Sequence, residues 1–262
     1  MPVSYKNVLI DLDDTLLVEE QSAHQSFLAA ARYLGSFHDI IPAEFVKTIR
    51  AAARELWYSL PTHTYAKSIG IAFHEALWAE FSDDNEQQRE LWKFKDYYQK
   101  QAWANALAKY NINDEDLAAR LSSLFKEERR KRHVLFDDAA PFLDRLHDMR
   151  VKIFLISNGT PDLQWEKIRK SGIEKYFHGI VISGEIGYRK PRKEIFSYCL
   201  NILGSTADQA IMIGDRLETD IKGANDMGIA SIWLNRERRK NDTAVVPVYE
   251  IHGLFKAIQL IG

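Results

Sequence analysis

The sequence is poor in cysteine, in long apolar runs and in excess charge of either sign. One cysteine, Cys199, stands among the 262 residues, which excludes an internal disulfide and a cysteine-based zinc site. No apolar run approaches the roughly 18 residues of a membrane span, and the first run, Asn7–Ile10, is too short for a secretory leader. Lysine and arginine number 35 against 37 acidic residues, and this net charge of −2 does not favour nucleic acid as a partner. We therefore expect a cytoplasmic protein that binds neither membrane nor nucleic acid.

Glycine is scarce in the first 158 residues, which hold only Gly35 and Gly70, whereas the rest of the chain holds eleven. Glycine-poor sequence favours long helices, and glycine-rich sequence favours frequent turns. Residues 19–135 carry amphipathic patterns with helical spacing and no β-rich run. The patterns predict a helix that begins near Pro42, a helix capped by Asn113 and a helix that carries Phe73, Leu77 and Phe81.

Outside that stretch, short apolar runs alternate with helical patterns. The predicted strands are Asn7–Leu12, Val151–Ser157, Gly179–Ser183, Ala210–Gly214 and Ile229–Leu234. Such alternation predicts a parallel sheet covered on both faces by helices. We therefore expect an α/β protein with a Rossmann-like core, residues 1–18 and 136–262, and an all-helical domain, residues 19–135, inserted after the first strand. Cys199 shares a helix face with Ile195 and Phe196, which predicts a place in the core.

Polar side chains follow four of these strands, at the edge of the sheet where α/β proteins bind ligands. In chain order they are Asp11-Leu12-Asp13, Ser157-Asn158-Gly159, Arg189-Lys190-Pro191 and Gly214-Asp215 with Asp220. Two carboxylates about 4 Å apart repel by about 4 kcal/mol at an effective dielectric constant of about 20, so the cluster requires raised pKa values or a cation. An all-oxygen donor set favours Mg²⁺. Lys190, Ser157 and backbone N–H groups would meet a phosphate. The pattern predicts a site for Mg²⁺ and phosphate.

The motifs Asp-x-Asp-x-Thr, Ser-Asn, Lys-Pro and Gly-Asp-x-x-x-x-Asp, in this order, resemble those of the haloacid dehalogenase-like (HAD) hydrolase superfamily. The helical insertion resembles a C1-type cap, and the core motifs resemble the branch of pyrimidine 5′-nucleotidases and N-acylneuraminate-9-phosphatases. One departure is Asp14, where many members have glycine.

The resemblance implies a role for each motif residue. Asp11 would be the nucleophile and Asp13 the general acid/base, while Ser157, Asn158 and Lys190 would bind the phosphoryl group. The metal Mg²⁺ would be held by Asp11, the Asp13 backbone carbonyl and Asp215, with Asp220 as a further ligand or as a support for one. True dehalogenases lack the second aspartate, so Asp13 favours a phosphatase.

The expected activity is Mg²⁺-dependent hydrolysis of a small soluble phosphate ester through an aspartyl-phosphate. A nucleoside 5′-monophosphate is the first candidate, and a sugar or acyl-sugar phosphate is the second. A phosphomutase of the same fold would use the same aspartates. A phospho-acceptor signalling module would carry its aspartate on the third strand, and a silent binding protein would have lost a motif position. The sequence leaves open a monomer or a dimer.

Overall fold

The computed structural model describes residues 5–82 and 85–262, which form two compact units. Unit 1 contains the described residues up to Val18 together with Val134–Gly159 and Lys167–Gly262. Unit 2 contains Glu19–His133 and Thr160–Glu166, so the short segment 160–166 groups with the helices. None of the helices in the described ranges is long and apolar enough to cross a membrane.

Unit 1 is built on a six-stranded sheet in which every neighbouring pair of strands is parallel. The strands are β1 (Asn7–Ile10), β2 (Lys152–Ser157), β3 (Gly179–Ile182), β4 (Ala210–Gly214), β5 (Ala230–Leu234) and β6 (Tyr249–Ile251). Their order is β3-β2-β1-β4-β5-β6, and every residue of the central strands β1 and β4 is buried. Near-continuous apolar strands buried on both faces are typical of parallel sheets with helices on each side. The predicted α/β class is confirmed.

The register of the central strands brings the polar strand ends to one edge. Ile10 pairs with Leu155 of β2 and with Ile213 of β4. Asp11, one residue beyond Ile10, donates its backbone N–H to the Ile213 carbonyl at 3.0 Å. Parallel strands in this register end together, so the residues that follow β1, β2 and β4 emerge side by side.

Helices and short turns connect the strands of unit 1. The helices are α7 (Ala139–Asp148), α8 (Pro161–Lys170, shared with unit 2), α9 (Ser183–Ile186), α10 (Lys193–Leu203), α11 (Lys222–Asp226) and α12 (Phe255–Ile261). Helix α10 ends at Leu203, because Gly204 adopts the left-handed conformation (φ 59°) that terminates helices. Cys199 on α10 is fully buried among apolar side chains, as predicted, and burial raises the pKa of its thiol to about 12.

Unit 2 is helical. Its helices are α1 (Glu19–Gly35), α2 (Pro42–Ser59), α3 (His63–Ile69), α4 (Phe73–Ala76), α5 (Glu86–Ala108) and α6 (Glu115–Arg130). Their apolar faces form one core, in which Phe27 and Phe125 lie 4.4 Å apart between ring centroids. The predicted start of α2 at Pro42 is confirmed, because proline needs no N–H partner in the first helical turn.

Two predictions for unit 2 are wrong in detail. The cap of α6 is Asp114 rather than Asn113, since the Asp114 carboxylate accepts a hydrogen bond from the backbone N–H of Leu117 at 2.8 Å. The helix predicted over Phe73, Leu77 and Phe81 is the single turn α4, and the backbone at Phe81 has a φ of 51° that a helix cannot contain. All three apolar side chains are buried nevertheless, so their four-residue spacing indicates buried positions and not a continuous helix.

A buried ion pair joins the first and last helices of unit 2. Arg129 Nη2 donates to both carboxylate oxygens of Glu19 at 2.8 Å, and the Arg129 guanidinium lies 4.6 Å from the centre of the Trp78 ring. Glu19 begins α1 and Arg129 lies in the last turn of α6, so each charge also suits the dipole of its own helix.

We predict that Arg129→Met lowers the free energy of unfolding of unit 2 by about 3–5 kcal/mol, because it leaves the Glu19 carboxylate buried without its cation. The matched control is Arg120→Met on the same helix, whose half-exposed side chain makes a long ion pair of 3.9 Å with Glu127 and lies 5.7 Å from the centre of the Tyr33 ring. We expect that control to change stability by less than about 1 kcal/mol. Urea unfolding followed by tryptophan fluorescence measures both, and equal losses in the two variants would contradict the assignment.

Candidate active site

The loop that follows β1 is tightly wound, and its hydrogen bonds fix the path of its backbone. The backbone N–H groups of Thr15, Leu16 and Leu17 all point to the carbonyl of Leu12, at 3.3, 2.9 and 3.0 Å. Asp14 adopts a φ of 61° in this turn. Glycine adopts that conformation freely, and aspartate is one of the few other residues that tolerate it. The departure at position 14 therefore preserves the backbone path.

Three predicted metal ligands lie together beyond β1 and β4. Asp11, Asp215 and Asp220 each place a carboxylate oxygen within 4.8 Å of the others, and all three side chains are buried. Asp215 Oδ1 is buried with no hydrogen-bond partner within the described part of the chain. A buried carboxylate oxygen without a donor is costly unless a cation meets it. The donor set fits a hard divalent ion such as Mg²⁺.

Burial and mutual repulsion shift the acid groups of this cluster. Burial away from water, the largest effect, raises the pKa of Asp11 to about 7, although the Lys190 ammonium opposes the shift. Burial, together with repulsion from Asp11 and Asp220, raises the pKa of Asp215 well above its usual value. The metal-free fold therefore favours protonated forms of these two carboxyls, and a cation would compete with those protons.

Lys190 supplies the positive charge of the cluster. Its Nζ lies 2.5 Å from Asp11 Oδ1 and 2.7 Å from Asp220 Oδ1, and its side chain is 2% exposed. Burial alone would lower the pKa of Lys190, but the two carboxylates outweigh that effect and raise it. The lysine is therefore a fixed cation beside the predicted nucleophile, where it can meet the oxygens of a phosphoryl group.

The residues that follow β2 reach the same edge. Ser157 is the last residue of β2, and its side chain is buried. The Asn158 side chain accepts a hydrogen bond from the Lys190 backbone N–H at 2.8 Å and donates to the Lys190 carbonyl at 3.3 Å. Asn158 therefore holds the backbone of the loop that presents Lys190.

Asp220 is held close to the end of β4. Its Oδ2 accepts the backbone N–H of Arg216 at 3.0 Å within a π-helical turn, Leu217–Ile221. A Cβ added at Gly214 would lie 2.5 Å from Asp220 Cβ, which is too close for two non-bonded carbon atoms. Glycine at position 214 is thus required for the close approach of Asp220 to the strand.

Asp13 lies apart from the three clustered carboxylates and beside a lysine that the sequence analysis missed. Lys167 Nζ donates to Asp13 Oδ1 at 3.0 Å and to Oδ2 at 3.1 Å, and the Lys167 side chain is fully buried. The sequence held one signal, a lysine directly before Ile168 on the helix that follows β2, on the face that the helix buries.

Comparisons with known proteins show the family to which the chain belongs. A family model described as haloacid dehalogenase-like hydrolase matches residues 5–228. A phosphoserine phosphatase of Thermus thermophilus is 30% identical over 242 residues, covering 92% of this chain and 93% of the relative. A pyrimidine 5′-nucleotidase of Escherichia coli, YjjG, is 36% identical over 111 residues, or 42% of this chain and 49% of the relative.

A solved structure shows the same fold over the full length. The magnesium-bound crystal structure of the putative HAD-hydrolase YfnB from Bacillus subtilis superposes with a TM-score of 0.67 at 23% identity, covering 99% of each chain. Together with the family match, this confirms the resemblance carried by the four motifs. The chain belongs to the haloacid dehalogenase-like hydrolase family and is a phosphatase-type member of it.

Proposed function

We propose that this protein is a Mg²⁺-dependent phosphomonoesterase that works through an aspartyl-phosphate on Asp11. The observation that supports it most is the meeting of Asp11, Asp215 and Asp220 around Lys190 at one edge of the sheet. Acidic groups arranged in this way, with one fixed cation among them, suit phosphoryl transfer by positioning and charge stabilisation.

The metal would be held by the Asp11 carboxylate, the Asp13 backbone carbonyl and Asp215. Asp220 contacts Lys190 Nζ and the Arg216 backbone N–H, which favours a supporting position for it. When bound, Mg²⁺ would offset negative charge on the phosphoryl oxygens.

In the first half of the reaction, an Asp11 carboxylate oxygen forms a bond to phosphorus while the bond from phosphorus to the ester oxygen breaks. Asp13 gives its proton to that leaving oxygen. In the second half, a water oxygen attacks phosphorus, its proton passes to Asp13, and the bond from phosphorus to Asp11 breaks. Inorganic phosphate leaves and both aspartates return to their starting forms. Throughout both halves, Lys190, Ser157 and Asn158 bind the phosphoryl group or hold the loop that presents Lys190.

The substrate is a small phosphate ester, and we keep a nucleoside 5′-monophosphate as first candidate because the core motifs resemble that branch. The long match to a phosphoserine phosphatase adds O-phosphoserine as a candidate. A sugar or acyl-sugar phosphate is a further alternative. We also propose that unit 2 acts as the cap that selects among these esters.

A phosphate-release assay over a library of esters tests this proposal. The library contains nucleoside 5′-monophosphates, O-phosphoserine, sugar phosphates and p-nitrophenyl phosphate, each with Mg²⁺ and with EDTA. We expect release from p-nitrophenyl phosphate and a marked preference for one class of natural ester. No release from any ester in Mg²⁺ would refute the proposed activity, and isomerisation without release would indicate a phosphomutase.

A further inference from the structure

A fully buried lysine, Lys167, lies outside the set of predicted site residues, and its ammonium contacts Asp13, the proposed general acid/base. Lys167 has a side-chain exposure of 0%, and its Nζ donates to both Asp13 oxygens at 3.0 and 3.1 Å. Lysine is among the residues least often fully buried, because removing its charge from water is costly. A buried lysine aimed at this carboxylate therefore calls for an explanation.

The two residues that meet here lie in different elements of the fold. Lys167 lies within α8, next to the fully buried Ile168, so the core fixes the position of its backbone. Asp13 lies in the turn after β1, and its side chain is 23% exposed. Two hydrogen bonds from one ammonium to both oxygens fix the plane of the carboxylate as well as its position. Lys167 on helix α8 thus orients the side chain of Asp13, which the turn after β1 carries.

We propose that Lys167 is a positioning residue, which holds the Asp13 carboxylate where it meets the leaving oxygen of the substrate. The inference rests on the proposed function, in which Asp13 delivers a proton to that oxygen. Small displacements of a catalytic group cost large factors in rate, so a buried support for Asp13 has a kinetic effect even though Lys167 makes no bond to the substrate.

The proposal makes a prediction that a structural role for Lys167 does not make. A poor leaving group such as phenolate needs the proton from Asp13, whereas p-nitrophenolate departs readily without it. Loss of the support should therefore slow the first half of the reaction far more for phenyl phosphate than for p-nitrophenyl phosphate. A change in the amount of correctly folded enzyme would slow both substrates by the same factor.

The experiment measures release of phenol from phenyl phosphate and of p-nitrophenol from p-nitrophenyl phosphate. Rapid quench follows the first turnover, with Mg²⁺ present, for wild type, Lys167→Met, Lys167→Arg and Lys170→Met. Lys170 lies one turn further along α8 and is exposed, which makes it the matched control. For Lys167→Met we expect a loss of about 100-fold on phenyl phosphate and less than about 3-fold on p-nitrophenyl phosphate. Lys167→Arg, which keeps the charge and the donors, should restore most of the loss, and Lys170→Met should match wild type.

Equal losses on the two esters in Lys167→Met, or unchanged rates on both, would overturn the proposal. If Lys167→Met does not fold by circular dichroism, Lys167→Gln is measured in its place against the same expectation. A leaving-group dependence in Lys167→Gln equal to that of wild type would then overturn it. Failure of the proposed function is distinguishable, because wild type itself would then release neither phenol nor p-nitrophenol.

Discussion

Asp11→Asn should lose at least about 10⁴-fold in the rate of phosphate release while the fold is retained. The amide keeps the shape of the side chain but is a poor nucleophile, so no bond to phosphorus forms. The fold survives because Lys190 keeps a carboxylate partner in Asp220, 2.7 Å away. Release of p-nitrophenol measures the rate, and circular dichroism measures the fold.

The matched control is Asp208→Asn. Asp208 lies in the exposed turn before β4, at the amino end of the strand whose carboxyl end carries Asp215. We expect this variant to release phosphate at the wild-type rate. A rate for Asp11→Asn within about 10-fold of wild type would remove Asp11 from the role of nucleophile.

EDTA should abolish hydrolysis, and added Mg²⁺ should restore it and raise the melting temperature. A ligand present at about 100 times its dissociation constant stabilises the fold by about 2.7 kcal/mol. Burial raises the pKa of Asp11 to about 7 and also that of Asp215. In the metal-free protein, the stability associated with their protonated forms is present at low pH and is lost as the pH rises through those values.

Because Mg²⁺ displaces these protons, the increase in melting temperature should be larger at pH 8 than at pH 6. Asp215→Asn should reduce the increase at both pH values, whereas Asp208→Asn should leave it unchanged. Thermal unfolding with and without Mg²⁺ measures the effect. Full activity in EDTA, or the same Mg²⁺ effect in Asp215→Asn and wild type, would contradict the metal site.

The sequence predicted the sheet and its polar edge well because central parallel strands are unbroken apolar runs. β1 and β4 are such runs, and their ends fix the places of Asp11 and Asp215. The strand β6, with only three residues, was missed, since Tyr249–Ile251 is too short to show a period. Leaving β6 out of the prediction changes only the outer edge of the sheet, beyond β5.

The side chains that act through contacts were harder to predict. Asn113 and Asp114 are both good caps, and only the position of the Leu117 N–H decides between them. Lys167 belongs to none of the four motifs, and its contact with Asp13 joins residues 154 positions apart. Such a contact depends on how α8 packs beside the turn after β1, which local periodicity does not determine.

The most direct test of the central claim is to trap the phosphorylated enzyme. Asp13→Asn lacks the group that we propose activates water, so incubation with p-nitrophenyl phosphate and Mg²⁺ followed by an acid quench should leave the covalent species in place. Mass spectrometry should then find one phosphoryl group per chain on the peptide that contains Asp11, and none when Asp11→Asn is added to this variant. A wild-type enzyme that hydrolyses the ester, together with a variant phosphorylated elsewhere or on no residue, would contradict the account.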